Sequence, residues 1–295
     1  MKWFRTCLLY LPGLGLIAAI AFLSGFEWRL EVINVRILPL VLSLALMLSF
    51  FTIRAALWQQ LLRDQALPCS FEQALLSLWR TSLVKYLPGK IWIVLGPADI
   101  INRATKHPLV RVSLVALVQI GLSVWAGVTL GMPLLAKATG LSWVPSLIAA
   151  VASLGLGLWA LQRQATIIAK LPARIRRRFA TSLSPVKVGL ISLFIAFVQW
   201  LVLGAAFAIF FHGLGNPLLV STILWQPLAN ATGIAVPLSP GGLGVRESVM
   251  LFYLSLEGLD WTAIFALVIW SRLWVLAAEF LTFITSFWLK QTRKF

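Results

Sequence analysis

The chain has 295 residues, 60% of them apolar and only 12% charged, with a mean hydropathy of +0.92. Soluble domains carry about 25% charged residues, so this chain could not cover its own surface in water, and a soluble fold is excluded. The net charge of +16 comes from 25 Lys and Arg against 9 Asp and Glu, but the basic residues gather between apolar runs, as the positive-inside bias and an anionic leaflet require, and no soluble basic domain exists to bind nucleic acid.

In chain order, the first apolar run, Cys7–Phe26, follows Lys2 and Arg5. It lacks a small-x-small cleavage site before Glu27, so it reads as an uncleaved first helix with a cytoplasmic N-terminus. A membrane helix needs about 20 apolar residues at about 1.5 Å rise each. Residues 7–26, 37–60, 112–135, 144–162, 188–211 and 262–288 meet that length. Two further apolar stretches, about 72–102 and 219–256, are interrupted by Pro-Gly; proline removes a donor and clashes with the preceding turn, so neither should run straight through.

Eight full spans compete with six spans plus two re-entrant hairpins. The six-span reading puts 17 Lys and Arg inside and 3 outside, whereas eight spans would leave 8 inside and 12 outside. The positive-inside rule selects six, with both termini cytoplasmic and the plasma membrane as the site. Pro68 and Pro217 are 149 residues apart, and so are Pro88 and Pro237. Stretch 37–60 then corresponds to 188–211, and 112–135 to 262–288. Each half, about 1–140 and 141–295, crosses three times, so the halves face opposite ways. The expected fold is an all-α polytopic membrane protein built as an inverted repeat, a layout used by transporters with a midplane site. Chance proline spacing is the alternative.

Ionisable residues at membrane depth are costly unless they face protein or water. Eight are expected at membrane depth: Arg80, Lys85, Lys90, Asp99, Arg246, Glu247, Arg272 and Glu279. Arg272 lies about 15 Å into its helix by rise per residue, and Glu279 falls on the same face two turns later. Either Arg272 pairs with Glu247 or Glu279 to pin the bundle, or it faces a cavity and attracts a phosphate.

The segment Lys85-Tyr86-Leu87-Pro88-Gly89-Lys90 sets two ammonium groups astride a hairpin tip, and a half-helix begins after it, with unsatisfied N–H groups that attract anions. From the other side, Pro240-Gly241-Gly242-Leu243-Gly244 lets backbone approach a ligand closely, and Arg246 supplies a bidentate fork suited to phosphate. Glu247 could instead cap the helix start. The turn has neither the context nor the spacing of a nucleotide loop. Asn230, Gln226 and Gln199 interrupt apolar runs and would contact a head group or bond between helices. Of the 14 tryptophans, Trp3, Trp28, Trp143, Trp261 and Trp288 lie near expected interfaces, and the Arg174–Arg178 loop is a topology signal. Two cysteines, Cys7 and Cys69, and two histidines, His107 and His212, indicate neither disulfide nor metal; no cofactor is expected.

Residues 85–92, Lys-Tyr-Leu-Pro-Gly-Lys-Ile-Trp, and 237–247, Pro-Leu-Ser-Pro-Gly-Gly-Leu-Gly-Val-Arg-Glu, together with the late Arg272, resemble the transmembrane region of lysylphosphatidylglycerol synthases, the flippase-like membrane domain. The resemblance covers essentially the whole chain. It implies a lipid-translocating role, with Lys85, Tyr86, Pro88, Gly89, Lys90, Pro240, Gly241, Gly242, Gly244, Arg246, Glu247 and Arg272 matching the family's positions. This chain ends at Phe295 without the synthases' aminoacyl-transferase domain, so synthesis of lysyl-lipid is not expected of it.

Three functions follow as expectations. The first is a non-enzymatic flippase for an anionic phospholipid or a polyprenyl-phosphate-linked lipid, with Lys85, Tyr86, Lys90, Asn230, Gly241, Gly242, Gly244, Arg246, Glu247 and Arg272 at the head group, and Pro88, Gly89, Pro237 and Pro240 shaping the hairpins. The second is a membrane-embedded polyprenyl-phosphate enzyme, for which Asp99, Glu247 and Glu279 are the available carboxylates. The third is a non-catalytic partner of a lipid-synthesising enzyme or glycosyltransferase.

Overall fold

A computed structural model describes residues 35–86, 91–139, 144, 148, 149, 151–153, 188–216, 220–236 and 240–291. Stretch 7–26, most of 144–162, the Arg174–Arg178 loop, Pro88, Gly89, Lys90, Pro217 and Pro237 lie outside the described residues.

Among the described residues all regular structure is helical. The long helices are α1 (Ile37–Asp64), α4 (Leu109–Thr139), α5 (Leu190–Gly213) and α8 (Trp261–Gln291). Shorter ones are α2 (Phe71–Arg80), α3 (Ile91–Thr105), α6 (Thr222–Ala235) and α7 (Val245–Leu256). A 3-10 turn at Ser82–Tyr86 follows α2, and another at Pro240–Gly242 precedes α7. Helices α1, α4, α5 and α8 are each long and apolar enough to cross a membrane, so this is a multi-pass membrane protein.

Inside the bilayer every backbone group must find a partner within the chain, which favours helix throughout. Polar side chains in the spans follow the same rule: Ser49 donates to the Ala45 carbonyl at 2.9 Å and Thr52 to that of Leu48 at 2.8 Å. The end of α1 is closed by a Schellman turn. Leu67 N donates to Leu62 O at 2.9 Å and Ala66 N to Arg63 O at 3.0 Å, with Ala66 in the left-handed region at φ 55°. At the start of α2, Ser70 and Gln73 form a reciprocal capping box.

Helices α1 and α5 pack along their length, and their ends fix the direction. At one end Asp64 Oδ2 accepts from Gly189 N at 3.1 Å and from Ser192 Oγ at 2.8 Å, capping the start of α5. At the other, Arg36 N donates to Gly213 O at 2.8 Å, and Arg36 Nη1 donates to His212 Nε2 at 2.9 Å. The two helices are therefore antiparallel.

Helix α6 is wedged between α4 and α5 at very short range. A β-carbon at Gly204 would lie 2.4 Å from Ile223 O, one at Gly127 2.8 Å from Ala231 Cβ, and one at Gly131 2.5 Å from Leu228 Cβ. Gly127 and Gly131 form a small-xxx-small face, which allows close van der Waals packing where lipid supplies no hydrophobic drive. Across the bundle, Trp274 Nε1 donates to Ser43 Oγ at 3.0 Å and Ser43 Oγ donates to Ala206 O at 2.8 Å, tying α8, α1 and α5 together.

Arg54 falls well inside α1, about 15 Å from its C-terminal end by rise per residue. The Lys and Arg totals above include Arg54 among the cytoplasmic charges after stretch 37–60. The structure instead sets it within a helix long and apolar enough to cross the membrane, which lowers the inside total by one without altering which topology the totals prefer.

Candidate functional site

A cavity of about 560 Å³ opens between the helices. Its walls are mostly apolar, with Phe50, Phe51, Trp200, Leu203 and Phe207 prominent, and four cations line it: Arg54, Lys85, Arg246 and Arg272. Glu279 is the lining carboxylate. Ile91 at the start of α3 is 60% exposed and Leu117 on α4 is 51% exposed, yet both line the cavity. The space therefore reaches the outer flank of the bundle between these two helices.

Local structure explains how each charge arrives. The glycines of the 240–244 turn adopt left-handed angles, φ 59° at Gly241, 74° at Gly242 and 84° at Gly244, which side chains with a β-carbon rarely accept. The turn carries Arg246 and Glu247 into the first turn of α7. Glu247 Oε2 accepts from Gly244 N at 2.8 Å, while Oε1 lies 3.6 Å from Arg272 Nη1. Arg272 also points both terminal nitrogens at the Gly241 carbonyl, at 3.4 and 3.3 Å, with its guanidinium 5.3 Å from the Tyr86 ring centre. Arg272 thus pairs with Glu247 and also lines the cavity. Glu279, 1% exposed, takes a different partner, accepting from Lys85 Nζ. Lys85 Nζ lies 5.2 Å from the same Tyr86 ring.

Among the described residues Arg246 has no carboxylate in ion-pair contact, although Glu247 and Glu279 act on it at longer range. It is 4% exposed, its guanidinium sits 5.3 Å over the Phe207 ring, and its Nε and Nη2 have no hydrogen-bond partner among the described residues. A buried guanidinium with open donors is energetically unfavourable, and this one borders the cavity.

The residues expected at a head group divide into three groups. Lys85, Asn230, Gly241, Gly242, Arg246 and Arg272 line the cavity. Tyr86 lies behind it, stacked between Lys85, Arg272 and the Gly241 backbone; Glu247 serves Arg272 and the α7 start, and Gly244 is exposed. Lys90 lies outside the described residues. Of the amides, Gln199 lines the cavity and donates to Ser123 Oγ on α4 at 3.0 Å, whereas Gln226 is fully buried away from it. Two further charges expected at membrane depth do not line the cavity. Asp99 pairs with Arg103 at 2.9 Å on an exposed surface, and Arg80 donates to Ser286 O at 3.2 Å beside the Phe287 ring.

Arg54, Gln119 and Ser123 were not among the expected site residues. Gln119 Nε2 donates to Arg54 O at 3.0 Å, bracing α1 where the arginine departs. An arginine with apolar residues on both sides was the signal for Arg54; Gln119 and Ser123 give none in sequence. A smaller hollow of about 40 Å³ shares Phe51, Arg54, Lys85, Ile93 and Glu279 with the main cavity and extends toward Trp79 and Thr81.

The chain is similar to the UPF0104 membrane protein MJ1078 of Methanocaldococcus jannaschii, with 32% identity over 101 residues. That stretch spans 34% of this chain and 43% of the archaeal protein, less than half of its length. No family model matches the chain. No solved structure matches it either. The relative is a membrane protein, in keeping with the four long apolar helices.

Proposed function

We propose that this protein translocates a lipid with an anionic head group, an anionic phospholipid or a polyprenyl-phosphate-linked lipid, and does so without chemical turnover. The observation that carries the reading is the buried, open-donor guanidinium of Arg246 in an otherwise largely apolar cavity. Arg54, Lys85, Arg246 and Arg272 face only Glu279 and Glu247 there, an excess of positive charge among the described residues. The apolar wall and the opening at Ile91 and Leu117 suit a hydrocarbon chain that stays in the bilayer while the head group enters.

The finer architecture belongs to the same proposal: six spans, two re-entrant hairpins and an inverted repeat in the plasma membrane, with both termini cytoplasmic. Helices α2, α3, α6 and α7 hold 10, 15, 14 and 12 residues, at most about 22 Å by rise per residue, which is short of the roughly 30 Å hydrocarbon core. α2 packs against α3 and α6 against α7, as hairpin legs would, and the two 3-10 turns touch. Exchanging the halves also maps one set of packing pairs onto the other: α1 with α2 becomes α5 with α6, and α3 with α4 becomes α7 with α8. The antiparallel α1 and α5 are what an inverted repeat requires of equivalent helices. The similarity to the lysylphosphatidylglycerol synthase membrane region supports the same reading, and a lipid-synthesising enzyme or glycosyltransferase is the partner class it suggests.

The test is lipid scrambling by purified protein in proteoliposomes containing fluorescent anionic and zwitterionic lipids. The expected result is movement of the anionic lipid that falls at least about tenfold in Arg246→Ala. Wild type and variant equally inert toward every anionic lipid would overturn it.

A further inference from the structure

We infer that the head group this cavity takes is a phosphomonoester dianion, and that Arg54, on the first half of the chain, reads its second charge; this rests on the lipid reading above and narrows its substrate class. The argument is one of charge balance. Of the four lining cations, Lys85 is engaged by Glu279 and Arg272 by Glu247. Arg246 and Arg54 then remain as two positive charges without a dedicated carboxylate among the described residues, although Glu279 acts on both at longer range and Glu247 also acts on Arg246. They enter from different helices, Arg246 from α7 and Arg54 from α1, onto one cavity. A phosphodiester brings one negative charge and leaves one of the two guanidiniums uncompensated in an apolar enclosure, which is costly. A phosphomonoester carries about −1.5 to −2 at neutral pH and has three oxygens able to accept from both forks. Gln119, holding the Arg54 carbonyl at 3.0 Å, keeps the α1 backbone placed for that contact.

The experiment uses the full chain in phosphatidylcholine nanodiscs, with competition against a fluorescent phosphatidic acid. Competitors are phosphatidic acid, phosphatidylglycerol with the same acyl chains, farnesyl phosphate and inorganic phosphate. At pH 7.5 phosphatidic acid and farnesyl phosphate should each compete at least about tenfold better than phosphatidylglycerol. That advantage should shrink toward pH 5, as the second phosphate proton returns with a pKa of about 6. Which of the two monophosphates competes better separates an acyl from a prenyl source. Arg54→Gln should weaken phosphatidic acid more than phosphatidylglycerol. Equal competition by the two phospholipids, a preference independent of pH, or equal loss of both in Arg54→Gln would each defeat the dianion inference while leaving the translocase standing. Arg54→Gln is dispensable if it misfolds, because the wild-type comparison and its pH dependence decide the matter alone. Inorganic phosphate competing as well as the lipids, or no lipid competing at all, would bring down the lipid reading itself.

Discussion

The ring of Tyr86 lies so close to Gly241 that a β-carbon there would sit 2.8 Å from Tyr86 Cε1 and 3.2 Å from Arg272 Nη2. This is where the two broken segments, one from each half of the chain, touch beside the cavity. Gly241 also has φ 59°, in the left-handed region. Gly241→Ala therefore meets two separate costs, a backbone strain of about 1 kcal/mol and the overlap with Tyr86. Thermal unfolding in detergent should show destabilisation of roughly 2–3 kcal/mol. Adding Tyr86→Ala should return the overlap part and leave the strain. If the double variant is as unstable as the sum of the two singles, the contact between the tips is not what Gly241 protects.

Cys69 sits in the short connection between α1 and α2, 8% exposed, and burial pushes its thiol up from an ordinary 9.0 to about 11. The thiolate is the nucleophile. At pH 8 the thiolate fraction should be roughly a hundredfold below that of a free thiol, and restricted access slows reaction further. In a Cys7→Ser background, iodoacetamide labelling at pH 8 should be slow in the folded protein and fast once it is unfolded. Because the folded state holds the proton more tightly, stability should fall as the pH rises past 9 toward 11. Labelling at the rate of a free thiol would contradict the buried position.

How much of this was readable beforehand depends on the kind of signal. The four long described helices match stretches 37–60, 112–135, 188–211 and 262–288 to within a few residues, because twenty apolar residues in lipid have no alternative to helix. The Pro-Gly breaks announced the short elements, since proline cannot donate and the glycines can turn back. Arg272 and Arg246 were legible as charges at a depth where charge is costly. Their partners were legible only in part: Glu247 was one of the two carboxylates offered to Arg272 and is the one it meets, whereas Glu279 goes to Lys85 through a contact between elements far apart in sequence. Arg54 was overlooked because a charged residue near the end of an apolar run looks like its boundary, whereas α1 continues ten residues further to Asp64. Asp99 and Arg80 show the opposite limit. Apolar neighbours in sequence grouped them with the cavity charges, yet Asp99 pairs with Arg103 on the exposed flank of the bundle and Arg80 leans on Phe287, both away from the cavity.

The end of α1 offers a stabilising change. Ala66 occupies the left-handed position of the Schellman turn at φ 55°, with its side chain exposed. Glycine is the usual residue there, and the left-handed conformation costs an alanine about 1 kcal/mol or more. Ala66→Gly should raise stability by about 0.5–1 kcal/mol after its greater unfolded-state entropy is counted. The change touches no cavity residue, so transport should be unaltered. A fall in melting temperature would mean that the turn does not hold this geometry in the membrane.

The Lys85–Glu279 pair makes the most demanding prediction, because it bounds the cavity and is deeply placed. Glu279 is 1% exposed and the Lys85 side chain 28%. Removing one member leaves the other charged without its partner, and breaking a buried pair typically costs about 3–5 kcal/mol. Glu279→Gln and Lys85→Met should each destabilise strongly. Lys85→Met with Glu279→Leu should recover much of the loss, since apolar replacement of both members of a buried pair is often close to neutral. A double-mutant cycle on thermal unfolding measures that coupling, and it should change little between low and high salt, as screening reaches buried pairs poorly. The same double variant carries a functional reading: it keeps the excess of positive charge from Arg54 and Arg246 while removing the ion pair shared with the smaller hollow. Head-group binding should therefore survive in the stable double variant. Additive single losses would show that the two side chains act independently, and loss of binding would show that Lys85 itself holds the head group.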